Sequence, residues 1–112
     1  MSLFYEQSEF SKDLHKLLGF LIDRNIKFSI GEVYRTRQQQ NIYVATGLSQ
    51  TWNSMHLKKL AVDLNIIIDN ALTYSKKDLQ FVGDYWTSLN SKNRWGGNFH
   101  SFVDSGHFER HV

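Results

Sequence analysis

Apolar residues in the first quarter of the chain recur at helical spacing. Phe10, Leu14, Leu17, Leu18, Leu21 and Ile22 fall on one face of a 3.6-residue period. An amphipathic helix is predicted there, ending near Asn25, with Ser8 or Ser11 as its N-cap. Phe28, Ile30 and Val33 follow as a short strand-like run broken by Gly31. Thr36 and Gln39 have capping-box spacing and Gly47 suits a helix stop, so a second helix is predicted over 37–46, with Arg35 at the strand-to-helix corner. Residues 48–55 are polar and read as a loop. Val62, Leu64 and Ile66 then alternate with Asp63 and Asn65, the mark of a half-buried strand. Ser75 and Asp78 form another capping box, ahead of Leu79, Val82, Trp86 and Leu89 at helical spacing. Beyond Gly96 and Gly97, two short segments are predicted to meet at a turn around Asp104, Ser105 and Gly106, the second running from His107 to Val112. These elements, without repeats or linkers, predict one α+β domain over residues 1–112. Its centre would be an antiparallel sheet flanked by about three helices.

Composition narrows the choice of chemistry. The chain has 112 residues, 41% of them hydrophobic and 14% aromatic, enough for one modest core. Thirteen basic and eleven acidic side chains leave a formal charge of +2. Arg35 and Arg37, Lys58 and Lys59, and Lys76 and Lys77 are close pairs, but there is no basic tract, so nucleic acid is not an expected partner. The small positive excess favours approach to an anionic polymer only weakly. Cysteine is absent. That excludes disulfides, Cys-based zinc sites and a cysteine nucleophile, and any transition-metal site must use His, Asp and Glu. The N-terminal residues carry Glu6 and Glu9 rather than a cationic leader, and the best apolar stretch, Leu17 to Ile22, is short. Neither a secretory signal nor a stable membrane association is expected, and the chain should accumulate in the cytoplasm of the cell that makes it.

Three clusters carry candidate chemistry. They are Ser54-Met55-His56 with Asp63 seven residues after the histidine, Asp104-Ser105-Gly106-His107-Phe108-Glu109, and Tyr34-Arg35-Thr36. A catalytic zinc needs three protein ligands and an open fourth position for a water. It also needs a carboxylate to take a proton and a cation to face the developing oxyanion. His56, Asp63 and His107 can supply the ligands, Asp104 the base and Arg35 the cation. Plainer readings stand beside this one. Asp63 can be an exposed strand residue and His56 a polar loop residue, and His107, Glu109 and His111 share one strand face where another metal cluster is conceivable. Trp86, Trp95, Phe99 and Phe102 read more readily as core than as a substrate platform, and His15 and His100 as surface or packing residues.

These residues resemble the M15 family of metallopeptidases, which includes D-alanyl-D-alanine carboxypeptidases and phage L-alanyl-D-glutamate endolysins. The family pattern is Ser-x-His with Ala-x-Asp ending seven residues after the histidine, then an acidic residue three before a second histidine. Ser54-Met55-His56 with Ala61-Val62-Asp63, and Asp104 with His107, match it. Tyr34-Arg35-Thr36 with Gln40 and Tyr43 matches the arginine-bearing helix start, and Trp95-Gly96-Gly97 the Trp-Gly-Gly loop. The similarity runs from about residue 28 to 110.

The resemblance implies a zinc site at the sheet, with Zn2+ held by His56, Asp63 and His107. It makes Asp104 the general base and later acid, Arg35 the group that polarises the scissile carbonyl, and Ser54 and Glu109 supporting residues. Lys59 stands where many members carry glycine, so a positive φ there would strain it. That departure and the aspartate at 104 suggest the endolysin branch. The implied activity is hydrolysis of a peptide bond in the peptidoglycan stem peptide, L-Ala–D-Glu in a phage lysis enzyme. The alternatives are D-Ala–D-Ala carboxypeptidase action, or an inactive wall-binding module of the same fold. A monomer is expected, because no long apolar edge is left unexplained. Non-haem iron oxygenases also use two histidines and a carboxylate, but usually as His-x-Asp on a larger all-β barrel.

Overall fold

The computed structural model describes residues 2–112 and contains an α+β architecture. Helix α1 spans Leu3–Asp23, β1 Phe28–Ile30, α2 Arg37–Ala45, β2 Ala61–Ile68, β3 Ala71–Thr73, α3 Lys76–Leu89, β4 Asn93–Trp95 and β5 His107–Arg110. Single 3₁₀ turns cover Met55–Lys58 and Gly96–Asn98. The strands form an antiparallel sheet in the order β1-β2-β5-β4, with β3 also paired to β2. The predicted central antiparallel sheet with three flanking helices is what the chain forms.

Local signals account for most boundaries. Thr36 and Ser75 cap α2 and α3, their hydroxyls accepting from the backbone N–H of Gln39 and Asp78. Gly47 takes φ +80° just past α2, the left-handed conformation that glycine adopts at least cost. Asp69 and Asn70, both at positive φ, make the tight β2–β3 turn.

Three expectations are corrected. The N-cap of α1 is Ser2, whose hydroxyl accepts from Tyr5 N–H, so Ser8 and Ser11 lie inside the helix and Ser11 instead donates to the Gln7 carbonyl. The strand paired to β5 on its outer side is β4, before the Gly96-Gly97 loop, and residues 99–103 form no strand. The last strand stops at Arg110, short of Val112.

One face of the sheet is covered by α1 and α3. Phe10, Leu17 and Leu21 of α1 pack with Leu79, Val82 and Trp86 of α3 and with Val62, Leu64, Ile66 and Phe108 of the sheet. Trp86 sits edge-on to Phe10 and Phe108, and its indole N–H donates to the carbonyls of Arg94 and Glu109. At the end of β5, Arg110 pairs with the buried Glu6 carboxylate at 2.9 Å, tying α1 to the strand that carries His107. These two helices do not cover the opposite sheet face, where Asp63 is half-buried and His107 and Glu109 are buried.

Candidate metal centre

Register brings distant residues together on that opposite face. In the β2–β5 ladder Asp63 is paired directly with His107, and paired residues of an antiparallel ladder project to the same side. His56 arrives from the 3₁₀ turn Met55–Lys58, which Ser54 caps by accepting from His56 N–H at 3.2 Å. The turn ends at Lys59 with φ 56° and ψ 40°, the left-handed conformation anticipated at that position. Reversing the chain there lets one segment aim His56 at Asp63 and then continue into β2.

His56 Nε2 and His107 Nδ1 each lie 3.2 Å from Asp63 Oδ1. The three ligand atoms are all within 4.8 Å of one another. The outer nitrogen of each ring is engaged elsewhere. His56 Nδ1 is 2.8 Å from the Val33 carbonyl, which only accepts, so this nitrogen carries the proton and donates. His107 Nε2 likewise donates to Glu109 Oε1 at 2.7 Å. Neutral imidazoles fixed this way turn two lone pairs toward a carboxylate oxygen. Such a convergence of acceptors repels itself unless a proton or a cation lies among them, so the donor set fits a metal ion. Burial would lower the pKa of His107, but Asp63 and Glu109 outweigh it and push it up to about 9. Burial would raise the pKa of Asp63, yet its bonds to His107 and His56 hold it well below the usual carboxylate range.

Arg35 is half-buried and clamped. Its Nε pairs with Glu32, Nη1 donates to Gln40 Oε1 at 2.7 Å and reaches Ser54 Oγ at 3.4 Å, and Nη2 lies 3.9 Å from Asp63 Oδ2. Tyr43 stacks under the guanidinium and donates to the second Glu32 oxygen. Glu32, not singled out in the sequence, thus fixes the arginine. Its only local signal is its place three residues before Arg35.

Asp104 lines the same groove, a hollow of about 400 Å³ bordered also by Arg35, His56 and His107. Burial raises its pKa above 3.8, and the nearby Asp63 charge adds to this against the opposing histidines. The Trp-Gly-Gly loop sets its position. Trp95 is buried and donates its indole N–H to the Ser105 carbonyl at 2.9 Å. Gly83 and Gly97 leave room for that ring, since a Cβ on either would stand within 2.2 Å of it. Gly96 accepts from Asp104 N–H at 3.0 Å, and Asp104 accepts from His107 N–H at 3.1 Å.

Of the other candidates, Glu109 lies behind His107 rather than in a separate cluster, and His111 Nδ1 is 3.7 Å from its second oxygen. Among the described residues, the group whose ligand atoms converge is His56, Asp63 and His107. Trp86 and Trp95 are core, as expected, whereas Phe99 and Phe102 line the groove. His15 and His100 are exposed and outside the site.

Comparison with known proteins agrees. Residues 47–110 match the M15 peptidase family model described as D-alanyl-D-alanine carboxypeptidase. The chain is 35% identical over 98 residues to the L-alanyl-D-glutamate peptidase of Listeria phage A118, a match covering 84% of this chain and 34% of that protein. It thus spans about a third of the length of the curated relative it matches. The crystal structure of the L-Ala D-Glu endopeptidase ChiX of Serratia marcescens superposes with a TM-score of 0.62 at 25% identity, over 76% of this chain and 67% of that one.

Proposed function

Because the chain belongs to the M15 peptidase family, we propose that it is a zinc peptidase cutting the L-Ala–D-Glu bond of the peptidoglycan stem peptide. The observation that carries this reading is the convergence of His56 Nε2, Asp63 Oδ1 and His107 Nδ1, each imidazole oriented by an acceptor on its far side. Nitrogen and carboxylate donors in a three-ligand set suit zinc. When bound, zinc would act as a Lewis acid and lower the pKa of a coordinated water to roughly 7.

The chain's own groups perform the rest. Asp104 accepts a proton from the attacking water on a carboxylate oxygen and returns it to the departing amine nitrogen as the C–N bond breaks. Burial supports this role, since a raised pKa makes the carboxylate a better acceptor of the water proton and keeps more of it protonated for the departing amine. Arg35, which lines the groove, stabilises charge developing on the carbonyl oxygen, at no cost of reorientation because Glu32, Gln40 and Ser54 already hold it. Ser54 joins two of these parts, bonding both Arg35 and the His56 backbone.

Both named relatives act, by their names, on the L-Ala–D-Glu bond. The family model's description keeps D-Ala–D-Ala carboxypeptidase action as the second reading. We place the activity in one peptidase domain, working as a monomer without stable membrane association. Made in a host cytoplasm, it would reach the wall once the inner membrane is opened. No helix among the described residues is long and apolar enough to cross a membrane.

The test is digestion of defined peptidoglycan, with mass spectrometry of the fragments and parallel incubation with a chelator. New N-terminal D-Glu that disappears with chelator and returns with zinc is the expected result. Release of terminal D-Ala would instead establish the second reading, and binding without any new amine would leave an inactive module.

A further inference from the structure

The sheet face away from α1 and α3 carries one more functional group. Asp63 pairs with His107, and Arg94 pairs with Glu109, which is two residues after His107. Alternation and pairing together place Asp63, His107, Glu109 and Arg94 on the same side of the sheet. Arg94 is one strand and two residues from His107, about 8 Å between Cα positions at ordinary sheet spacing, which is the reach of two to three residues of extended peptide.

Arg94 is exposed and forms no ion pair among the described residues. Its neighbour Glu109 is already committed to His107. Arg94, Phe99 and Ser101 border the metal groove and also an adjoining hollow of about 520 Å³, so the two depressions share a rim. The loop forming that rim also carries Asp104, the group assigned to protonate the leaving amine, so a peptide whose amine side follows this loop would run toward Arg94.

A cut at L-Ala–D-Glu puts D-Glu on that side. A glutamate within a chain uses one carboxyl for its onward link and leaves the other free. We propose that Arg94 is a specificity-determining residue whose guanidinium receives this free carboxylate on the amine side of the scissile bond. The planar fork of arginine matches a carboxylate through two parallel N–H···O bonds. This assignment rests on the peptidase reading above.

The test uses two synthetic stem peptides, identical except that the free D-Glu carboxyl is an acid in one and a carboxamide in the other. Rates are measured with the zinc-loaded native protein and the Arg94→Gln variant. Binding of both peptides is measured by calorimetry to the Asp104→Asn protein, with and without Arg94→Gln. A charge-assisted pair predicts that the native protein favours the acid by about ten- to hundredfold in kcat/KM and in Kd. Arg94→Gln should bring that ratio near one, and Arg94→Lys should restore part of it. A preference that is missing in the native protein, or that survives Arg94→Gln, overturns the proposal. If neither peptide is cut but the Arg94-dependent preference in Kd is present, the carboxylate site stands and the assigned bond fails. If both are cut equally, the bond stands and the site fails.

Discussion

Replacing Gly96 by alanine tests whether the Trp-Gly-Gly loop positions Asp104, the proposed base, without contributing a reacting group. A Cβ at this position would lie 2.1 Å from the Asp104 carbonyl oxygen and 2.9 Å from His107 Cβ. Relief to an ordinary contact of 3.4 Å requires a shift of about 1.3 Å at Asp104 and about 0.5 Å at His107. Gly96 itself has little freedom to retreat. Trp95 before it is buried and bonded to Ser105, and Gly97 after it lies against the Trp95 ring. The turn carrying Asp104 must therefore move. A misplacement of about 1 Å in a catalytic group costs on the order of a hundredfold in rate, while overpacking costs about 1–3 kcal/mol of stability. Gly96→Ala should therefore remain folded at room temperature, lose roughly a hundredfold in kcat on a defined stem peptide, and lose less in zinc affinity. Circular dichroism melting, zinc titration and peptide cleavage measured on one preparation separate the three effects. Gly19→Ala is the control, because its Cβ would meet nothing within 4 Å in the middle of α1 and should stabilise by about 0.5–1 kcal/mol. If Gly96→Ala kept native kcat, the loop would not be what positions Asp104.

Other substitutions test separate links. Asp104→Asn should retain zinc, because it removes no ligand, and lose about 10²- to 10⁴-fold in kcat; a near-native rate would remove Asp104 as the base. The same residue sets a pH dependence. Burial raises its pKa in the zinc-free protein and its base form is lost as pH falls through that raised value, so an NMR titration of the zinc-free protein should place the Asp104 midpoint above 3.8. A midpoint at or below 3.8 would contradict this. Glu109→Ala removes the acceptor that orients His107, so zinc affinity should fall about 10- to 100-fold in chelator competition, with the fold intact by circular dichroism. Lys59→Gly relieves a left-handed residue, worth about 1–2 kcal/mol, against about 0.5–1 kcal/mol for glycine's extra freedom when unfolded. A net gain of about 0.5–1 kcal/mol should raise Tm by roughly 2–6 °C in differential scanning calorimetry.

The sequence by itself determined whatever is decided within a few residues. Thr36 and Ser75 cap helices because each hydroxyl meets an N–H three positions on, and Val62, Leu64 and Ile66 bury one face of a strand because alternation needs no distant partner. The left-handed conformation of Lys59 came into view only through the resemblance, in which many members carry glycine there. Local signals misplaced the start of α1, where several serines had comparable claims and only Ser2 stands at the entry. They also missed β3 and β4, which become strands only when β2 and β5 offer their ladders. The candidate site divides in the same way. His56, Asp63, Asp104, His107 and Arg35 stood out as residue types with the right chemistry at characteristic spacings. Asp63 and His107, 44 residues apart, meet only through the β2–β5 register. Which nitrogen each imidazole turns inward depends on Val33 and Glu109, and the arginine is held still by Glu32. Side-chain chemistry is written residue by residue, whereas convergence and orientation are properties of the packed sheet.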